Sequence, residues 1–121
     1  MESAQTRNLR GECLFCRIAD GNIPADVVLA NESVLAFRDI APTAPTHVLV
    51  ITREHYTNAE DVAIKAPSLL SDMVRLAAEV SALDGLEGYR LVFNTGAVAG
   101  QSVFHAHLHL LGGRTLQWPA G

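Results

Sequence analysis

The strongest constraint on this chain is the run His105-Ala106-His107-Leu108-His109-Leu110-Leu111, in which histidine alternates with alanine and leucine. A period of two is the period of a strand. The run therefore predicts an extended segment, placed over Val103 to Leu111, with three imidazoles on one face and Ala106, Leu108 and Leu110 on the other. The apolar face needs a core and the histidine face needs a cleft. Successive rings on such a strand lie ~7 Å apart and the three span roughly 13 Å. Two of the rings chelating one metal, or each ring doing a separate job along a bound substrate, are both compatible with that spacing. One metal held by all three would need strong curvature, because metal–nitrogen bonds are only ~2 Å long. Separate roles are the preferred reading, and a histidine-liganded metal enzyme is the alternative that chelators would expose. Imidazole is the side chain best suited to act as nucleophile or proton carrier near neutral pH.

The rest of the chain supplies partners for that strand. Residues 12–19 predict a short helix, which Asp20-Gly21-Asn22 breaks. Asp26 to Ala30 and Ser33 to Asp39 read as a hairpin turning at Asn31-Glu32. Ile40 to Pro45 holds two prolines and so is a loop. His47 to Thr52 reads as a buried strand and residues 59–65 as a helical turn. Pro67 suits the first turn of a main helix, Ser68 to Leu83. Leu69, Met73, Leu76, Val80 and Leu83 form one stripe on that helix, with Leu70, Val74 and Ala77 beside it. The face is wider than one contact needs and serves either one broad core or a core plus a subunit contact. Gly85 can end the helix. Gly88 to Asn94 is a further strand. Five strands with one main helix predict an α+β domain on a largely antiparallel sheet.

The 121 residues, 49% of them apolar, suit one domain over residues 12–121 behind a flexible arm at 1–11. The formal net charge of -4 argues against charge-driven binding of nucleic acid or membranes. It leaves room for one phosphate held by backbone N–H groups, hydroxyls and imidazoles. With neither a secretory signal nor an apolar run of ~18 residues, a cytoplasmic protein is expected. Gly100-Gln101-Ser102 could cradle a phosphate, although an ordinary turn explains the tripeptide as well. Cys13 and Cys16 are too close for a stabilising long-loop disulfide and read as half a metal site.

The histidine run, with Gly100-Gln101-Ser102-Val103-Phe104 before it, resembles the histidine triad (HIT) superfamily. Phe15 to Pro24 is similar to the family's opening helix and turn, and Leu35 to Ile51 to its first nucleotide-lining segment. Gly112-Gly113-Arg114 with Trp118-Pro119 resembles the HINT branch, the histidine triad nucleotide-binding proteins. Thr52, where proline is common, and Ala106, where a larger aliphatic residue is usual, depart from the pattern. The resemblance covers about residues 13–121. It implies a homodimer sharing one sheet, and hydrolysis of purine nucleoside phosphoramidates (AMP or GMP derivatives) through a nucleotidyl-histidine. His107 would be the nucleophile. His109 and His47 would orient or polarise the centre, and His105 would complete the network. Asn94, Gln101 and Ser102 would hold the phosphate and leaving group, and Asp39 the ribose. Phe15, Ile18, Phe37 and Ile40 would line the base pocket, and Trp118 would reach the partner subunit's site. The resemblance also implies a structural zinc on Cys13, Cys16, His55 and His105, with no metal required for bond cleavage. A dinucleoside polyphosphate hydrolase and a non-catalytic nucleotide-binding or scaffolding protein are the alternatives.

Overall fold

The computed structural model describes residues 10–121. Most of the expected arm at 1–11 lies outside them. Arg10, at its end, is tied down: its guanidinium donates to both carboxylate oxygens of Asp20 and to the carbonyl of Arg53.

The elements follow in the order α1 (Leu14–Ala19), β1 (Val27–Ala30), β2 (Val34–Arg38), β3 (Thr46–Thr52), α2 (Ala59–Lys65), α3 (Pro67–Leu83), β4 (Tyr89–Val92), a 3-10 turn (Ala97–Ala99) and β5 (His107–Gly112). Local chemistry sets the boundaries. Cys13 caps α1 by accepting the Cys16 N–H on its sulfur. Asn58 caps α2 by accepting the Asp61 N–H at 2.9 Å, and Glu60 and Asp61 complement the positive end of the helix dipole. Pro67 opens α3, where its missing N–H leaves no helical bond unmade. Asn31 shapes the β1–β2 turn by accepting from the N–H groups of Ser33 and Val34.

The five strands form one sheet in the order β1-β2-β3-β5-β4, with every neighbouring pair antiparallel. Its two faces have different tasks. On one, Val34, Ala36, Val48, Val50, Leu108 and Leu110 pack against Met73, Leu76, Ala77 and Val80 of α3. On the other, Leu35, Phe37, Leu49 and Ile51 pack against Phe15 of α1. The register places Ile51 opposite His107, Leu49 opposite His109 and His47 opposite Leu111. The histidines therefore share the α1 face. Only part of the apolar surface expected on α3 enters the core, since Val74 and Leu83 remain exposed.

One sequence expectation needs correction. The last strand begins at His107, not at Val103. Ahead of it the backbone is held by other groups, including the Ala106 N–H, which donates to the Tyr56 carbonyl at 2.7 Å. His105 therefore precedes the ladder and is not a member of it.

Candidate active site

Beneath α1 the sheet brings His47, His107 and His109 together. The His107 and His109 ring centroids are 5.1 Å apart, and those of His47 and His109 are 5.2 Å apart. Phe15 lies edge-on to His107, with centroids 5.0 Å apart. His47 and His107 are buried and His109 is partly buried.

Backbone groups decide where the imidazole protons sit. The His105 carbonyl lies 2.7 Å from His107 Nδ1 and can only accept, so His107 carries its proton on Nδ1. Among the described residues no hydrogen bond engages the Nε2 lone pair of His107. The relation is reversed at His47, where Nδ1 accepts the Thr43 N–H at 3.1 Å. A neutral His47 then carries its proton on Nε2, which lies 2.9 Å from His109 Nδ1 and 3.4 Å from Asp39 Oδ2. His109 accepts on Nδ1 and keeps its own proton on Nε2. One ring thus offers a lone pair and its neighbour a donor, an arrangement suited to attack on an electrophile whose oxygen needs a hydrogen bond. Asp39, His47 and His109 also bring one donor atom each within 4.8 Å of one another, with each histidine nitrogen engaged as above.

Electrostatics favour neutral rings. Burial holds His107 below the ordinary imidazole value, against the opposing pull of the His105 carbonyl and the Asp39 carboxylate. Burial, then the neighbouring His107 and His47, push His109 down to about 4. Unfolding returns His109 to its ordinary value of 6.5, so between 6.5 and about 4 the unfolded chain binds a proton that the folded chain does not. Stability from this group is therefore complete above pH 6.5 and lost as pH falls towards 4. Thermal melts from pH 8 to 4 are expected to show a falling midpoint across that window, less steeply in His109→Gln.

His105 belongs to a different cluster. Its ring is fully buried, Nε2 donates to the Thr52 carbonyl at 2.7 Å, and the bare Nδ1 lies 3.3 Å from Cys13 Sγ and 3.5 Å from Cys16 Sγ. His55 Nδ1 is 3.3 Å from Cys16 Sγ. All four donor atoms lie within 4.8 Å of one another. The edges of a zinc tetrahedron built from two sulfurs and two nitrogens are roughly 3.3–3.8 Å, so the donor set fits that ion. Burial and the adjacent Cys13 thiol push the Cys16 thiol up to about 12, so without a bound cation it stays protonated. The role expected of the His105 side chain in the catalytic network is thus corrected. Its carbonyl serves His107 while its ring serves the cysteines.

The expected substrate-binding residues fall into three groups. Phe15 and Phe37 are buried and edge-packed, with centroids 5.7 Å apart, and Ile18 packs beside them. Ile40 and Trp118 are exposed, the latter beside Gln117, whose carbonyl accepts from Arg90 of β4. Ser102 is exposed and Asn94 half-buried, next to Gly100. Gln101 departs from expectation. Its Oε1 accepts the Gly96 N–H, and its Nε2 donates to the carbonyls of Thr57 and Val103. Both amide donors are therefore taken, and Gln101 fixes the loop instead of presenting donors to a phosphate. A cavity of about 820 Å³ lies away from the histidines, lined by residues 84–90 and 113–116. It contains no histidine or cysteine.

Sequence reasoning missed the backbone groups at Thr43 and Thr52, since a main-chain donor or acceptor has no residue signature. It also missed Asp84, which takes Arg38 and Thr46 into one hydrogen-bonded cluster.

A family model described as the HIT domain matches residues 20–116. A purine nucleoside phosphoramidase of Escherichia coli is 42% identical over 107 residues, covering 87% of this chain and 90% of the relative. A HIT-like protein of Synechococcus elongatus is 44% identical over 111 residues, covering 91% and 97%. The crystal structure of a HIT family hydrolase from Legionella pneumophila superposes with a TM-score of 0.87 at 49% identity, covering 91% of this chain and 100% of that one.

Proposed function

The chain belongs to the HIT family, and on that footing we propose that it is a purine nucleoside phosphoramidase acting through a nucleotidyl-histidine. The observation that carries this reading is the fixed tautomer of His107. With the proton held on Nδ1 by the His105 carbonyl, the Nε2 lone pair is the nucleophile. His107 Nε2 forms a bond to phosphorus as the P–N bond breaks. The electron pair goes to the departing amine, which takes up a proton from solvent water. Water then displaces the imidazole and releases the nucleoside monophosphate. The His109 Nε2–H donates to a phosphoryl oxygen and stabilises charge as it builds. Ser102 and Asn94 hold the phosphate region, Asp39 the ribose, and Phe15, Ile18, Phe37 and Ile40 the base.

Cys13, Cys16, His55 and His105 are the residues that would hold zinc, in a structural role. Bound there, the ion would cross-link α1 and the segments around His55 and His105, behind the nucleophile and outside the reaction. The same reading includes a homodimer in which the sheet continues across the interface and Trp118 reaches the partner subunit's site. The exposed edge at β4 is where such a sheet would extend. Among the described residues no helix is long and apolar enough to cross a membrane.

Side-by-side turnover separates this activity from that of a dinucleoside polyphosphate hydrolase. Adenosine 5′-phosphoramidate is expected to be cleaved with a kcat/KM at least about 100-fold above that for a diadenosine polyphosphate, a difference of ~2.7 kcal/mol in transition-state binding. Equal or reversed preference would reject the proposal.

A further inference from the structure

The proton on His47 Nε2, which serves His109, is set chiefly by Thr43, whose N–H donates to Nδ1 at 3.1 Å with its hydroxyl 3.4 Å from the same nitrogen, while Asp39 Oδ2 lies 3.4 Å from Nε2. Thr43 lies in the loop 40–45, most of which is exposed. Two groups outside the histidine cluster hold that loop. Asp84, closing α3, accepts both guanidinium ends of Arg38 at 2.7 and 2.9 Å and the Thr46 hydroxyl at 2.7 Å. Arg38 directly precedes Asp39, and Thr46 directly precedes His47. A single carboxylate thus pins both ends of the loop. From the other side, Arg114 Nη2 donates to the Thr43 carbonyl at 2.9 Å. Gly113, at φ +93, lies so close to the loop that a Cβ would come within 2.8 Å of Pro45.

The position of Asp84 runs against helix preference. A carboxylate at a helix C-terminus meets the negative end of the dipole, and α3 has no basic residue in its last turn. Arg38, then Thr46, hold its carboxyl below the usual range despite partial burial. The charge is therefore stabilised from the sheet, by the two residues that frame the loop.

We propose that Asp84 and Arg114 are positioning residues which, by clamping the 40–45 loop, hold the Thr43 N–H against His47 Nδ1 and keep His47 in the tautomer that donates to His109. The inference rests on the role assigned to His47 above, but its primary test does not depend on turnover.

The test is nitrogen-15 NMR of the imidazoles in the full chain, with kcat and KM measured in parallel. In the wild type His47 shows a bare Nδ1 and a protonated Nε2. In Asp84→Ala those two resonances are expected to move towards averaged values. The accompanying fall in kcat is about fivefold to tenfold, the size set by losing one hydrogen bond's preference, with KM within about twofold. Arg114→Ala moves both readouts in the same direction by less. Asp84→Asn, which keeps an acceptor, falls between wild type and Asp84→Ala. If Asp84→Ala fails to fold, Arg114→Ala and Asp84→Asn carry the test. A sharp wild-type tautomer in the folded variants overturns the proposal, whatever happens to kcat. A wild type that shows the tautomer but cleaves no phosphoramidate removes the proposed activity and leaves this inference standing.

Discussion

Replacing His107 with asparagine is expected to lower phosphoramidate turnover by at least about 10⁴-fold while nucleotide affinity stays within about threefold. The asymmetry follows from what asparagine retains. Its amide can donate to the His105 carbonyl, as His107 Nδ1 does at 2.7 Å, and it fits beneath Phe15 without a large cavity. It lacks the nucleophilic ring nitrogen. A mutation that removes a group used only in the transition state lowers kcat and kcat/KM together and spares ground-state binding. Single-turnover kinetics and calorimetric titration with AMP measure the two quantities separately. If the variant retained near wild-type turnover, another group would be the nucleophile. If the wild type bound AMP and turned over no phosphoramidate, the chain would be a nucleotide-binding protein without catalysis.

The second large effect concerns the cysteine–histidine cluster. Purified protein is expected to carry one zinc per chain. The double variant Cys13→Ser, Cys16→Ser is expected to carry none and to lose at least about 2–3 kcal/mol of stability, a fall of roughly 10 °C in Tm. Cys16 and His105 are fully buried, and the thiols and imidazoles already stand at distances close to the edges of a coordination tetrahedron. A hydroxyl is a poorer zinc ligand than a thiolate, so the site loses its metal while the packing changes little. Elemental analysis and thermal melts with and without a chelator check both halves. Absence of stoichiometric zinc from the wild type, or a chelator that leaves Tm unchanged, would reject the assignment. Since the cluster is outside the proposed reaction, nucleotide cleavage at temperatures well below the melt should survive zinc removal.

Much of the site was legible in the sequence, and the reasons differ from residue to residue. His107 and His109 could be placed because alternation with Leu108 and Leu110 is a physical demand: one face of β5 must meet α3. His47 was found through its resemblance to the family and not through any pattern of its own. Period two was carried back to His105 through residues where no strand exists, which gave its ring a catalytic place it does not have, while its place beside Cys13 and Cys16 came from the family resemblance. What turns its ring towards the cysteines is a hydrogen bond to Thr52, 53 positions away in the chain, and no local pattern encodes it. Gln101 misled for a similar reason, since an amide beside a glycine looks free until Thr57, Val103 and Gly96 occupy it. The stripe on α3 placed Met73, Leu76 and Val80 in the core, and Val74 and Leu83 lie outside the face that the sheet covers, as a core plus a second contact would require. Thr43 and Asp84 were invisible. The first acts through its backbone, and the second joins residues that only the folded chain brings together.

Rapid quenching of the wild type during turnover of adenosine 5′-phosphoramidate, followed by digestion and mass spectrometry, shows whether His107 carries the nucleotide. An adenylyl group is expected on the peptide bearing His107, with fragmentation assigning it to that residue and none of it present in His107→Asn. A nucleotide found on another side chain, or rapid turnover with no covalent adduct at any quench time, would contradict this role for His107.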